Sequence, residues 1–208
     1  MREITESAQK IQGQPMFKLI DKVKELERKG AEVIHLEIGD PDFTTPEHIV
    51  EAAKRSLDDG ETHYCSSWGL PDFIETIRET TRRSRGFLPD AKQVLVTPGA
   101  NISIFYSIFC TVNQGCEVLL PNPGFPTYSS SIKMCGGVAV PYPLFQNNGF
   151  RARAEDIEPL ITPKTRLLIL NSPHNPTGAV TEREHLESIF DLAERHDLYI
   201  YSDEIYSR

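Results

Sequence analysis

Four stretches of this 208-residue sequence place residues able to hold a ligand directly after apolar runs. After VLVT come Gly99, Ala100 and Asn101, opening an apolar, helix-like run. Small residues there let a ligand approach the backbone, and first-turn N–H groups with the helix dipole suit a phosphate. After EVLLP comes NPGFPTY, where Phe125 sits between two prolines and offers a flat face for stacking. After RLLILN comes SPHNPTG, in which the Asn175 amide can donate to an anionic oxygen and His174 reads as a solvated neighbour. After LYIYS come Asp203 and Tyr206. A carboxylate there can pair with a protonated ring nitrogen, and a phenol can donate to an adjacent ring oxygen. An extended chain need not put residues three apart on one face, but if the backbone turns there both can reach one ligand.

Each pattern alone is also ordinary structure. Pro98-Gly99 and Asn175-Pro176 are turn chemistry, Phe125 suits a loop cap over a core, and Asp203 suits a helix cap or a solvated edge. No Lys-Ser/Thr follows the Gly99 loop and no G-x-G-x-x-G is present, which argues against an ATP-type phosphate loop or a dinucleotide site. Taken together, the four stretches supply a phosphate nest, a stacking ring, donors to a phenolic oxygen and a carboxylate for a ring nitrogen. One aromatic, phosphorylated cofactor needs all of these: pyridoxal 5′-phosphate (PLP).

The elements that must position these residues alternate along the chain. Pro15 opens a helix that spaces Met16, Ile20, Val23 and Leu26 on one face and ends at Gly30. A short strand is expected at 33–37, helices after Thr45-Pro46 and Leu70-Pro71, a strand at 93–96 and an apolar helix at 102–112. Runs at 116–121, 137–142, 166–171 and 198–203 read as strands apolar on both faces, the mark of a covered parallel sheet. Thr181 and Glu184 stand in capping-box spacing before a helix that turns Leu186, Ile189, Phe190 and Ala193 inward. The expected fold class is α/β, a doubly wound, mostly parallel sheet, in which ligands gather beyond the carboxyl ends of the strands.

Composition narrows the classes. A formal charge of -8 argues against a nucleic-acid or anionic-membrane surface, and the only basic cluster, TRRSR at 81–85, reads as a solvated helix end. The opening has no apolar core of a secretory signal, and no run approaches the ~20 apolar residues of a membrane span. The four cysteines form no C-x-x-C pair; they read as buried free thiols of a cytoplasmic protein, with no metal site.

The segments TPGANISIFYSIFCTVNQGCEVLLPNPGFPTYSS, NSPHNPTGAV and YSDEIYSR resemble the class I/II aminotransferases of PLP fold type I, the aspartate aminotransferase superfamily. The opening QPMFKLIDKVKELERKGAEVIHLEIGDPDFTTP is similar to their N-terminal part, so the resemblance runs from about residue 15 to 208. It implies that Ala100 and Asn101 hold the phosphate, Phe125 stacks on the pyridine ring, and Asn175 and Tyr206 donate to its phenolic oxygen. It implies that Asp203 keeps the ring nitrogen protonated, Gly39 lines the substrate pocket, and Tyr64 reaches the phosphate of a neighbouring subunit in a homodimer.

The resemblance also implies transfer of an amino group between an amino acid and a 2-oxo acid. In the family the Schiff-base lysine lies a few tens of residues beyond the Asp-x-x-Tyr pair, and none of the lysines here sits in a matching motif. The chain therefore reads as an N-terminal portion, inactive alone. Residues 1–45 are expected to be an arm and small-domain segment, and 46–208 the first part of the cofactor-binding large domain, whose sheet should show a gap or an exposed edge. A PLP-dependent lyase of the same fold, or an inactive PLP-binding or dimerisation fragment, are the competing expectations.

Overall fold

The computed structural model describes residues 3–5, 8–9, 15–36 and 38–207, with the backbone alone of 15–17. The chain divides into two compact units, Leu19–Pro98 on one hand and Gly99–Arg208 with Met1–Lys18 on the other.

The first unit is helical. α1 (Pro15–Arg28) runs into it, with Val23 buried and Leu26 exposed on the face the spacing marks as apolar. α2 (Glu47–Asp58) starts after Pro46, and α3 (Pro71–Arg85) has Pro71 in its first turn, where a missing N–H costs nothing. α3 ends at Gly86, whose φ of 79° is left-handed. Its last turn carries Arg82, Arg83 and Arg85, and Arg82 pairs with Glu79 at 2.8 Å, so TRRSR is a solvated helix end.

Two strands expected in this unit do not form. Residues 33–36 are irregular, with Ile34 85% and Leu36 89% exposed, and Glu37 lies outside the described residues. Residues 91–93 make a short 3-10 turn capped by Asp90 in a capping box with Gln93, and 94–97 follow without strand pairing. A strand exists only where a neighbour completes its ladder, and among the described residues no strand pairs with either segment.

The second unit is a doubly wound α/β sheet. It runs α4 (Asn101–Thr111), β1 (Glu117–Asn122), α5 (Pro126–Met134), β2 (Val138–Pro143), α6 (Ala154–Ile157), β3 (Thr165–Asn171), α7 (Arg183–Arg195) and β4 (Tyr199–Asp203). The four strands are parallel in the order β2-β1-β3-β4, leaving β2 and β4 as edges. Alternation along the strands splits the core. Val118 and Leu120 of β1 and Leu167 and Ile169 of β3 pack under α4 and α5 with Ile104, Ile108, Tyr128 and Ile132. Leu119, Leu168 and Leu170 face the other way, against Ile189 and Leu192 of α7. Both faces are covered, which is why these strands carry unbroken apolar runs.

α7 departs from its expected details. Glu182, not Thr181, occupies the N-cap, and no side chain caps the helix; the Thr181 N–H goes instead to Ser172 Oγ at 3.0 Å. Ile189 and Ala193 are buried as the spacing requires, but Leu192 is buried and Phe190 exposed. Phe190 lies one residue, about 100°, round the helix from Ile189, outside the contact stripe. No cysteine is buried either: Cys65 and Cys110 are exposed, Cys116 and Cys135 half-buried, and all four are free. Among the described residues no helix is long and apolar enough to cross a membrane.

Candidate functional site

The sheet order places a topological switch between β1 and β3. The chain leaves β1 to one side for β2, then returns to the other side for β3 and β4. Beyond the carboxyl ends of strands that diverge in this way a crevice opens. Here it is a hollow of about 250 Å³, near the lower end of the roughly 300–1,000 Å³ usual for small-molecule sites. Ala100, Asn101, Phe125, Asn175, Asp203 and Tyr206 all line it. Four separate segments, from α4 to the end of β4, therefore converge on one space.

Each side chain is placed by local structure. Ala100 is the N-cap of α4 and has no side chain to cap it, so an external acceptor can complete the helix start. Phe125 is the N-cap of α5, extended at φ -68°, ψ 126°, and packs against the α4–α5 core. Asn175 follows β3 in a loop with cis Ser172–Pro173 and Asn175–Pro176 bonds. Its Nδ2 donates to Tyr206 Oη at 3.0 Å. Asp203 ends β4, and the Ser207 N–H then closes a turn on the Glu204 carbonyl at 2.9 Å. The backbone thus turns after Asp203, as joint reach to one ligand allows, and both side chains border the same hollow.

The electrostatics turn on Asp203. It is buried, and its Oδ2 accepts a hydrogen bond from the Tyr128 hydroxyl at 2.6 Å, while among the described residues Oδ1 has only the Ile205 N–H at 3.3 Å. Among the described residues, none that lines the hollow is cationic. A buried carboxylate facing such a space is matched by a ligand that brings its own positive charge. Burial, and next the bond to Asp203, push the Tyr128 phenol far above its ordinary range. Tyr201, two residues before Asp203, bonds Ser103 Oγ at 2.9 Å. Ser103 gives its own proton to the Ala100 carbonyl at 2.6 Å, so Tyr201 must be the donor. This contact ties β4 to the first turn of α4.

Sequence reasoning missed Tyr128, Asn171, Ile104 and Ile205, which also line the hollow. Two signals were present. Tyr128 stands three residues after Phe125 across a helix start, and Asn171 is the polar residue that ends an apolar strand. Asn171 is buried and fully used: its Nδ2 donates to the carbonyls of Pro173 (3.1 Å) and Asp203 (3.0 Å), and its Oδ1 accepts the Asn175 N–H at 2.8 Å. His174 is a correction. It is buried, not solvated, with Nδ1 against Thr177 Oγ1 at 2.7 Å and Nε2 without a hydrogen-bond partner among the described residues. Desolvation lowers its pKa, partly opposed by the nearby Pro123 carbonyl, which stops short of hydrogen-bond geometry. Gly39 and Tyr64 belong to the unit Leu19–Pro98; Gly39 is exposed in an irregular segment, and Tyr64 is fully exposed beside Arg55 and His63 in an open depression.

Comparison with known proteins agrees with this architecture. The signature of the family described as Aminotransferase class I and II matches residues 31–208. An arginine–pyruvate transaminase of Pseudomonas aeruginosa is 44% identical over 179 residues, 86% of this chain and 46% of that protein. An aromatic-amino-acid aminotransferase of Thermococcus litoralis is 43% identical over 84% of this chain and 45% of its own length. The chain thus spans about half the length of the curated relatives it matches. The solved aspartate aminotransferase of Thermus thermophilus with maleate superimposes with a TM-score of 0.92 at 35% identity, over 97% of this chain and 53% of that one. The chain belongs to the class I and II aminotransferase family.

Proposed function

We propose that this chain forms the PLP-binding part of an enzyme that transfers an amino group between an amino acid and a 2-oxo acid. The observation that carries the reading is the buried Asp203 carboxylate on a hollow that has no cation among its described lining residues and that also takes in an aromatic ring and an uncapped helix start. When bound, PLP supplies a ring that accepts the electron pair left as the substrate's α-carbon loses its proton. The chain's residues do the rest. Asp203 holds a proton on the ring nitrogen, an ion pair worth a few kcal/mol in a sheltered site. Phe125 supports the ring face, Asn175 Nδ2 and the Tyr206 hydroxyl donate to the phenolic oxygen, and the N–H groups at Ala100 and Asn101 receive the phosphate.

The reading extends to the parts that the family resemblance implies. Residues 1–45 are an arm and small-domain segment, and 46–208 the first part of the large domain. Gly39 lines the substrate pocket, and Tyr64, fully exposed in its unit, serves a neighbouring subunit's phosphate in a homodimer. Four free cysteines favour the cytoplasm. The resemblance implies a Schiff-base lysine in a motif that none of the lysines of these 208 residues matches, so on this reading the 208 residues alone bind PLP without covalent attachment and without turnover. The relatives act on arginine, aromatic and aspartate substrates by name, so the amino acid is left unassigned.

Two measurements test this. The chain titrated with PLP gives saturable binding at one site, weakened at least tenfold in Asp203→Ala; no saturable binding, or binding indifferent to that change, refutes the site. A version continued to the relatives' full length forms product only when a 2-oxo acid is supplied. Product release without a 2-oxo acid would replace the transferase reading by a lyase.

A further inference from the structure

Tyr128 is wholly buried in the first turn of α5, and its phenol has a single proton to give. That proton goes to Asp203 Oδ2 at 2.6 Å, a short bond to a charged acceptor between residues 75 positions apart. The same ring meets the Phe125 ring edge-on, with centroids 5.7 Å apart and planes at 80°. One side chain thus touches both the carboxylate and the aromatic wall of the hollow it lines.

We propose that Tyr128 is a positioning residue: by occupying Oδ2 and bracing Phe125, it leaves Asp203 Oδ1 as the oxygen that meets the ring-nitrogen proton of PLP. This rests on the reading that the hollow holds PLP. Because the Tyr128 hydroxyl donates to Oδ2, and Oδ1 has among the described residues only the long Ile205 contact, the two oxygens are not equivalent. A side chain that merely filled space would affect every ligand of the hollow alike. A side chain that aims Oδ1 affects only a ligand with a proton on its ring nitrogen.

The test compares PLP with its analogue in which CH replaces the ring nitrogen, using the 208-residue chain. Tyr128→Phe is expected to weaken PLP about tenfold, the scale of a lost hydrogen bond to a charged group, and the CH analogue less than about threefold. In an Asp203→Asn background the same change loses its nitrogen-specific effect. Equal weakening of the two ligands, or unchanged PLP affinity, overturns the proposal while leaving the PLP site standing. Absence of saturable PLP binding by the parent chain overturns the site and the proposal together.

A readout on the parent chain guards against a variant that fails to fold. The buried Tyr128 hydroxyl proton, followed by NMR, shifts when PLP is added and stays within a small fraction of that shift with the CH analogue. An equal shift with both ligands counts against the proposal.

Discussion

Asn171→Ala removes three hydrogen bonds at the point where β3, β4 and the Asn175 loop meet. The loss is uneven. The Asp203 carbonyl keeps the Ser172 N–H at 3.2 Å, so it remains partnered. The Asn175 N–H and the Pro173 carbonyl, both part-buried, lose the amide that holds them, and stranding each costs roughly 1–2 kcal/mol, the lower part of the range for a buried group. The residue is buried, so water does not easily replace the amide. The expected total is about 2–4 kcal/mol. In a chain of this length, each kcal/mol lowers the melting temperature by roughly 2–4 °C.

Urea unfolding followed by circular dichroism measures the total, and amide hydrogen exchange locates it. Peptides covering 165–176 and 199–207 should exchange faster, while the centre of β1 keeps its protection. Asn171→Asp should be no better. It retains an acceptor for the Asn175 N–H but sets a carboxylate oxygen against two carbonyls. A loss below about 0.5 kcal/mol for Asn171→Ala, with unchanged exchange in both peptides, would refute the role assigned to this side chain.

Gly124→Ala should cost about 2 kcal/mol or more in a urea titration, because its Cβ would stand 2.3 Å from the Pro121 carbonyl oxygen, a backbone atom that cannot swing aside; a neutral result would mean the 123–126 loop relaxes freely. Tyr201→Phe should lower stability by about 1 kcal/mol and weaken PLP more than pyridoxal, since its donation to Ser103 ties β4 to the first turn of α4. Equal effects on the two ligands would count against that tie. His174 adds a pH dependence. Burial lowers its pKa in the fold below the ordinary value of 6.5, so the unfolded chain binds more protons in the window opening at about 6.5 and running downward. Stability should therefore fall as pH falls through that window, and His174→Gln should flatten this component of melting temperature against pH. Parallel curves for the two proteins would exclude it.

The centre of the sheet was legible because β1 and β3 are buried on both faces: β3 is an apolar run with all but Arg166 buried, and needs no partner to be recognised. The edge strands β2 and β4, by contrast, keep residues such as Val138 and Tyr199 exposed. Residues 33–36 and 93–96 have similar local composition, yet strand formation depends on a ladder from elsewhere in the chain, which composition does not record. The residues around the hollow were legible where they follow a strand end. Asp203, Asn175 and Phe125 stand there by position alone. Tyr128 and Asn171 were not, because their importance lies in hydrogen bonds to Asp203, 75 and 32 residues away. His174 misled for a related reason: a polar residue between prolines looks solvated until the Thr177 and Ala179 contacts fold its loop inward.

The claim on which the functional reading depends is that Asp203 meets a protonated ring nitrogen. PLP labelled with 15N at that position, bound to the chain and observed by NMR at pH 8, measures it directly. The expected result is a nitrogen resonance in the protonated range, moving to the neutral range in Asp203→Asn. A neutral nitrogen in the parent chain, or one that ignores the loss of the carboxylate charge, would contradict the account.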